Sequence, residues 1–237
     1  MVAHYRDIMP LIGGLKLYAL VHGLLGESLT MGRDKFLYLL RRHHLILPPR
    51  KPKHTTNSNH IYFKYPNLIK GLPITYVNQV WVCDITYIYT GEGFCYLHLV
   101  TDAFSRMIIG FILAPTLEAK YTVQALEQAI AIAGGGNLCG TIHHSDRGVQ
   151  YACDEYTMVL KNHHIRISMT EDSNPTDNGL AERVNGILKS EFIEPIQRTL
   201  DIEAATELVE QSIYTYNHIR PHRSLDMCTP AAIYNKE

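Results

Sequence analysis

Nowhere in its 237 residues does the chain place two cysteines in a C-x-x-C pair; Cys83, Cys95, Cys139, Cys153 and Cys228 are five in number and widely spaced. An odd, scattered set excludes a disulfide framework and fits free thiols in a reducing compartment. No zinc-finger pattern can be completed either. The doublets His43-His44, His143-His144 and His163-His164 do not supply one, because adjacent side chains do not converge on one face. The sequence therefore predicts no zinc. Also absent are an apolar signal core after Met1, an apolar run of membrane-spanning length, an internal repeat and a low-complexity tract. A soluble, cytoplasmic protein with no membrane partner is expected.

Net charge is nearly absent as well, at −1, but the balance is uneven along the chain. Residues 1–70 hold 11 Lys or Arg against 3 acidic residues, whereas residues 71–237 hold 11 against 20. That split predicts a nucleic-acid-binding front end and an acidic, metal-binding body, with a merely solvated basic helix as the alternative for the first part. The length suffices for one sizeable core and a smaller appendage.

In the front end, Leu17, Leu20, Val21 and Leu24 recur at helical spacing over Leu15 to Leu25. Gly26 to Thr30 turns the chain. Thr30 is a candidate cap for a second helix that carries Phe36, Leu37 and Leu40 on one face and Arg33, Lys35, Arg41 and Arg42 elsewhere. Two helices with a short turn, the second basic, predict a helix-turn-helix DNA reader over residues 1–47, against a plain helical hairpin. Residues 48–79 begin Pro-rich and basic and predict a linker whose cations rest on phosphates.

The remainder alternates as an α/β fold with a mixed sheet should. Trp81 to Ile88 is rich in β-branched and aromatic residues; a turn at Thr90 to Gly93 leads to a strand over Phe94 to Val100, and a turn at Thr101 to Ser105 leads to another over Met107 to Leu113. Asp102 is expected to be a turn residue. A helix over Thr122 to Ala133 stops at Gly134-Gly135-Gly136. A strand entering Asp146, a helix at Asp154 to Asn162, a strand at Ile165 to Ser168 and a helix carrying Glu182 follow. Glu171 and Asp172 fall in a polar loop and are poor candidates for a rigid site. A last amphipathic helix, with Ile202, Ala205, Val209, Ser212 and Tyr216, starts at a cap on Asp201 and ends at Arg220-Pro221-His222-Arg223, whose cations face DNA or the surface.

Three acidic residues stand out by their surroundings. Asp84 interrupts a strand whose composition otherwise favours pairing, and a lone acid there needs a reason. Asp146 ends the segment Thr141-Ile142-His143-His144-Ser145 and enters a glycine-containing turn, which places it at a strand end. Glu182, separated from Asp146 by 35 residues, lies in a helix whose apolar stripe is Leu180, Val184, Ile187, Leu188 and Phe192, with Pro175, Thr176 and Asp177 as upstream stop and caps. It points about 200° from Leu180 and shares a face with Asn185, Gly186 and Lys189. Three carboxylates brought together fit binding of divalent metal.

Trp81 to Ile88, His144 to Tyr151 and Asp177 to Lys189 closely resemble the three catalytic motifs of integrase-core transposases. More narrowly, the chain is similar to the second-reading-frame product of insertion sequences of family three, relatives of retroviral integrases. Tyr216-Asn217-His218-Ile219-Arg220-Pro221-His222-Arg223-Ser224-Leu225 with Thr229-Pro230-Ala231 matches the same family's C-terminal signature.

That resemblance implies a ribonuclease H-like fold: three antiparallel strands plus two further strands and flanking helices, with a small N-terminal helical domain. The catalytic core is expected over 80–193 and a C-terminal helix and tail packed on it over 194–237. It implies a DDE transposase that cuts and joins DNA strands during transposition, with Asp84, Asp146 and Glu182 holding two Mg²⁺ ions, for which Mn²⁺ substitutes. Lys189 and Asn178 are expected to touch DNA beside the site, and Arg33, Lys35, Arg41 and Arg42 to do so in the front end. Transposon ends and target DNA, a homo-oligomer in the synaptic complex and the upstream-frame helix-turn-helix protein are the expected partners. A nuclease on the same fold and a catalytically silent DNA-binding descendant are the alternatives.

Overall fold

The computed structural model describes residues 1–46, 62–171, 178–194 and 200–236. Its centre is a five-stranded sheet built from β1 (Val80–Thr90), β2 (Gly93–Asp102), β3 (Ile108–Ala114), β4 (Ile142–Ser145) and β5 (Arg166–Met169), in the order β3-β2-β1-β4-β5. β1 and β2 form an antiparallel hairpin closed at Thr90 and Gly93, as the Gly-Glu-Gly turn predicts. β3 adds antiparallel to β2, with a register shift at Val100/Thr101, while β4 pairs parallel to β1 and β5 parallel to β4. The expected mixed sheet is the one observed.

Alternation along β1 decides what each face meets. Trp81 and Cys83 point into a core shared with α4 (Ala119–Ile132), α5 (Val149–Ala152) and α6 (Asp154–Asn162). Gly110 on β3 lets α4 lie close, since a Cβ there would stand 2.0 Å from the Ala125 carbonyl oxygen. Val80, Val82 and Ile88 point the other way, toward α7 (Gly179–Leu188) and α8 (Ile202–His218). Asp84, in phase with this second set, faces α7.

Three expectations change. Within the stretch expected to be linker, Leu68, Ile69, Leu72 and Ile74 pack on Val80, Val82, Ile142 and Ala181. The backbone N–H of Leu68 donates to Ser168 Oγ at 2.8 Å and that of Met169 to the Pro66 carbonyl. Periodicity missed this because the segment has apolar residues but no regular element; its Pro-rich part, 47–61, lies outside the described residues.

The front end contains an additional first helix, α1 (Val2–Ile8), before α2 (Gly14–Leu25) and α3 (Arg33–Arg42). α3 starts after Gly32 with no side-chain cap, so Thr30 does not serve as one. Met9, Ile12, Leu17, Val21, Phe36 and Leu40 join one core with Val184, Leu188, Ile213 and Tyr216, so the front end is seated on α7 and α8.

The third change concerns Arg220, which faces neither DNA nor solvent. It is only 2% exposed, and its Nε and Nη2 each donate at 2.8 Å to the two oxygens of Glu191. Lys16 of α2 donates to the same carboxylate at 2.9 Å. Arg220 Nη1 donates to His222 Nε2 at 3.1 Å; guanidinium has only donors, so that ring nitrogen is unprotonated. Burial first, then Arg220 and Lys16, push the His222 pKa down to about 3. Glu191 reaches this cluster because α7 widens into a π-helical turn over Lys189–Ile193, where Glu194 N–H donates to the Lys189 carbonyl at 2.8 Å.

Candidate active site

Cys83 of β1 pairs with Ser145 of β4 in parallel register. Asp84, in the middle of β1, and Asp146, just past the end of β4, are the next residues along, so pairing alone brings them side by side roughly one strand spacing of ~4.8 Å apart. Gly148 N–H donates to Asp146 Oδ1 at 2.9 Å, and a Cβ at Gly148 would stand 2.9 Å from that oxygen, so the glycine lets the turn fold around the carboxylate. Asp84 is half-buried and held by the Ile85 N–H at 2.9 Å on Oδ1 and by Asn185 Nδ2 at 2.7 Å on Oδ2.

α7 is laid against this pair by three contacts with β1. Asn178, at its N-cap, donates through Nδ2 to the Cys83 carbonyl at 3.0 Å; Asn185 takes Asp84; and Lys189 Nζ donates to Thr86 Oγ1 at 3.4 Å. Glu182 lies between them in sequence, exposed on the helix. Pro175, Thr176 and Asp177, expected to introduce the helix, lie outside the described residues.

The electrostatics concentrate on Asp84. Burial, then the neighbouring Asp146 carboxylate and more weakly Glu182, push its pKa up to about 7, against the opposing hydrogen bonds from Asn185 and Ile85. The Asn185 amide and the Ile85 N–H that hold Asp84 are both uncharged. The Tyr151 phenol, buried beside the two aspartates, is held neutral far above its ordinary range by burial and by Cys83, Asp84 and Asp146.

As placed, no three His, Cys, Asp or Glu side chains among the described residues gather closely enough to hold a metal ion. The donor chemistry of Asp84 and Asp146 does fit a hard divalent cation: carboxylate oxygens, close together, whose mutual repulsion, felt in the raised pKa of Asp84, such an ion relieves. The neighbouring histidines are occupied otherwise. His143 Nε2 meets the Tyr156 hydroxyl at 2.8 Å and His144 Nδ1 the Ser168 hydroxyl at 2.8 Å, both in the core.

Of the predicted DNA-contacting residues, Lys189 lies beside the site. Asn178 is buried, and its Nδ2 holds the helix to the Cys83 carbonyl. Arg33, Lys35, Arg41 and Arg42 are exposed on α3, with Arg33 Nε donating to Asp34 at 2.8 Å. Asp102 is a turn residue as expected, accepting from Asn78 N–H at 2.7 Å and from the Ser105 N–H and hydroxyl at 2.7 and 2.6 Å. The role of Asn185 was missed; its place three residues after Glu182, on the same face, was the available signal.

The mixed five-stranded sheet, with Asp84 and Asp146 on neighbouring strands, is the arrangement with which the comparisons agree. Residues 75–175 match the integrase core domain family, and residues 163–230 match a second family of the same description. The chain is 33% identical over 212 residues to an uncharacterized 31 kDa protein of insertion element IS600 from Shigella sonnei, covering 89% of this chain and 77% of that one. It is 34% identical over 131 residues to the transposase of insertion sequence element IS629 from Shigella sonnei, covering 54% and 43%. Transposase InsF of insertion sequence IS3A from Escherichia coli is 32% identical over 164 residues, covering 67% and 54%. The chain thus spans about half the length of these two transposases.

Among solved structures, the simian T-cell lymphotropic virus intasome in complex with PP2A regulatory subunit B56 gamma superposes with a TM-score of 0.57 at 22% identity, covering 95% of this chain and 75% of that one. The HTLV-2 integrase catalytic core domain in complex with magnesium, in its trimeric form, gives 0.52 at 22%, covering 68% and 98%. At such identity the likeness shows a shared ribonuclease H-like fold. The chain belongs to the integrase-core transposases of insertion sequences.

Proposed function

We propose that this chain cuts and joins DNA strands during transposition by metal-dependent phosphoryl transfer, with Asp84, Asp146 and Glu182 as metal ligands. The observation that carries this reading is the meeting of Asp84, in the middle of β1, with Asp146, at the end of the neighbouring β4, and the fastening of the Glu182 helix over them through Asn185 and Lys189. Two bound Mg²⁺ or Mn²⁺ ions supply Lewis-acid activation of the attacking oxygen and charge stabilisation at the leaving 3′-oxygen. Glu182, exposed on α7, would be the third ligand.

The protein's own groups do the placing. Asn185 and the Ile85 N–H fix the Asp84 carboxylate, Gly148 fixes that of Asp146, and Asn178 anchors the helix carrying Glu182. Lys189 receives a phosphate next to the scissile bond. The α3 cations hold duplex DNA through its backbone. Zinc plays no part. The intasome and the trimeric integrase core among the similar folds support a homo-oligomer on DNA, with the upstream-frame protein as a further partner.

The test is joining of a pre-cut 3′-end to target DNA by the purified chain in Mg²⁺ or Mn²⁺. Asp84→Asn, Asp146→Asn and Glu182→Gln should each abolish joining and cutting while leaving DNA affinity and fold nearly intact. Cutting without joining would reassign the chain as a nuclease, and near-normal activity of any one variant would remove that residue from the site.

A further inference from the structure

A cleft of about 530 Å³ lies away from the carboxylates, where α2 and the start of α3 meet the turn after Arg220. Its walls include Leu15, Tyr18 and Met227, and its charged groups are Arg33 from α3 and Arg223 from the C-terminal turn, with His22 from α2 between them in the lining. Both arginines are exposed, and Arg33 engages Asp34 through Nε, which leaves the Nη groups of its donor fork. Just beneath, Lys16 and Arg220 share the single carboxylate of Glu191. Positive charge is therefore in excess on this flank. Burial first, then Arg220 and, less strongly, Arg223 lower the pKa of Lys16, as expected where like charges crowd.

Resting on the function proposed above, we propose that the DNA-holding face of α3 continues into this cleft, where Arg223 and His22 join Arg33 in taking backbone phosphates of duplex DNA. Planar guanidinium forks match phosphate oxygens two at a time, and an apolar-walled recess strengthens such bonds by reducing competition from water. The site is composite. It exists because α2 and α3 are seated on the body, so DNA held there spans the front end and the C-terminal segment and is fixed in orientation relative to the carboxylates. Of the two readings the sequence left for Arg223, DNA or the surface, this takes the first, and His22 acquires a role that sequence patterning had not given it.

The full chain is titrated with a short blunt duplex of arbitrary sequence, in chelator to suppress turnover, over a range of salt. Arg33→Gln and Arg223→Gln should each weaken binding roughly tenfold at low salt, the loss of one charge-assisted hydrogen bond, and lower the salt slope by about one. Arg223→Lys should keep the slope. Gly23→Leu fills the cleft without changing charge: Gly23 lines it, a Cβ there meets nothing within 4 Å, and leucine favours the helix, so the fold is spared. This variant should also lose affinity, whereas Lys161→Ala, exposed on α6, should not. If the wild type binds but Arg223→Gln and Gly23→Leu bind as it does, the cleft is not a DNA site and the proposed function stands. If the wild type binds no duplex at all, both fall.

Discussion

Replacing Glu191 with Gln removes the one negative charge that Arg220 and Lys16 share while keeping the side chain's size. Arg220 is 2% exposed and cannot turn to water, so the substitution strands a buried guanidinium; breaking a buried pair from one side destabilises by about 3–5 kcal/mol. Lys16, whose side chain is 16% exposed, can reach solvent, which places the expected loss near the lower end, about 3 kcal/mol.

Urea unfolding followed by the emission of Trp81 reads this directly, since Trp81 is the only tryptophan and is 0% exposed. The pH dependence gives a second arm. Burial pushes the Glu191 pKa up, but Arg220 and Lys16 outweigh it and hold the group below its ordinary value. A depressed carboxylate stabilises the fold above its unfolded pKa and loses that contribution as pH falls through the folded one. The gap between wild type and Glu191→Gln should therefore be full at neutral pH and close in acid. Glu191→Leu combined with Arg220→Met should recover most of the loss, because no charge is then stranded. A single-variant loss below about 1 kcal/mol, or a gap that widens in acid, would refute the reasoning.

Asp84→Asn should raise the melting temperature of the metal-free protein at pH 8: a carboxyl with its pKa lifted to about 7 stabilises the fold only below its unfolded value and loses that as pH rises through 7. A lower melting temperature at pH 8 than wild type would contradict it. Gly110→Ala, placing a Cβ 2.0 Å from the Ala125 carbonyl oxygen, should destabilise by about 1–3 kcal/mol in the same urea assay, and a neutral result would mean that α4 yields freely. Lys189→Ala should reduce the salt slope of binding to a pre-cut end by about one, with Lys161→Ala unchanged; equal slopes would return Lys189 to the solvated surface.

What could be seen in the sequence divides along the range of the interaction. Asp84 was visible because a carboxylate inside a β-branched, aromatic strand contradicts its neighbourhood, and Glu182 because its helix has a clean apolar stripe. The Asp102 turn and the Asp201 cap, where the carboxylate accepts from Ala204 N–H at 2.8 Å, are local and were foreseen. The meeting of Arg220 with Glu191, across 29 residues, was not, since no periodicity encodes a pairing between a π-helical turn and a distant loop. Asn178 illustrates the same limit: its hydrogen bond to the Cys83 carbonyl, across 95 residues, could not be read from its place before the Glu182 helix.

The order in which the site can be assembled follows from Arg220. Asp84 and Asp146 meet only after β4 has paired with β1 across the α4 crossover, a contact of long sequence separation and slow to form. The helix bearing Glu182 is then clamped at its far end only when Arg220 reaches Glu191. All three acidic residues thus precede in the chain the arginine that clamps this end of the helix. The contacts of Asn178, Asn185 and Lys189 with β1 lie wholly upstream of Arg220, so the Glu191 clamp is the last of these fastenings to become possible as the chain is made.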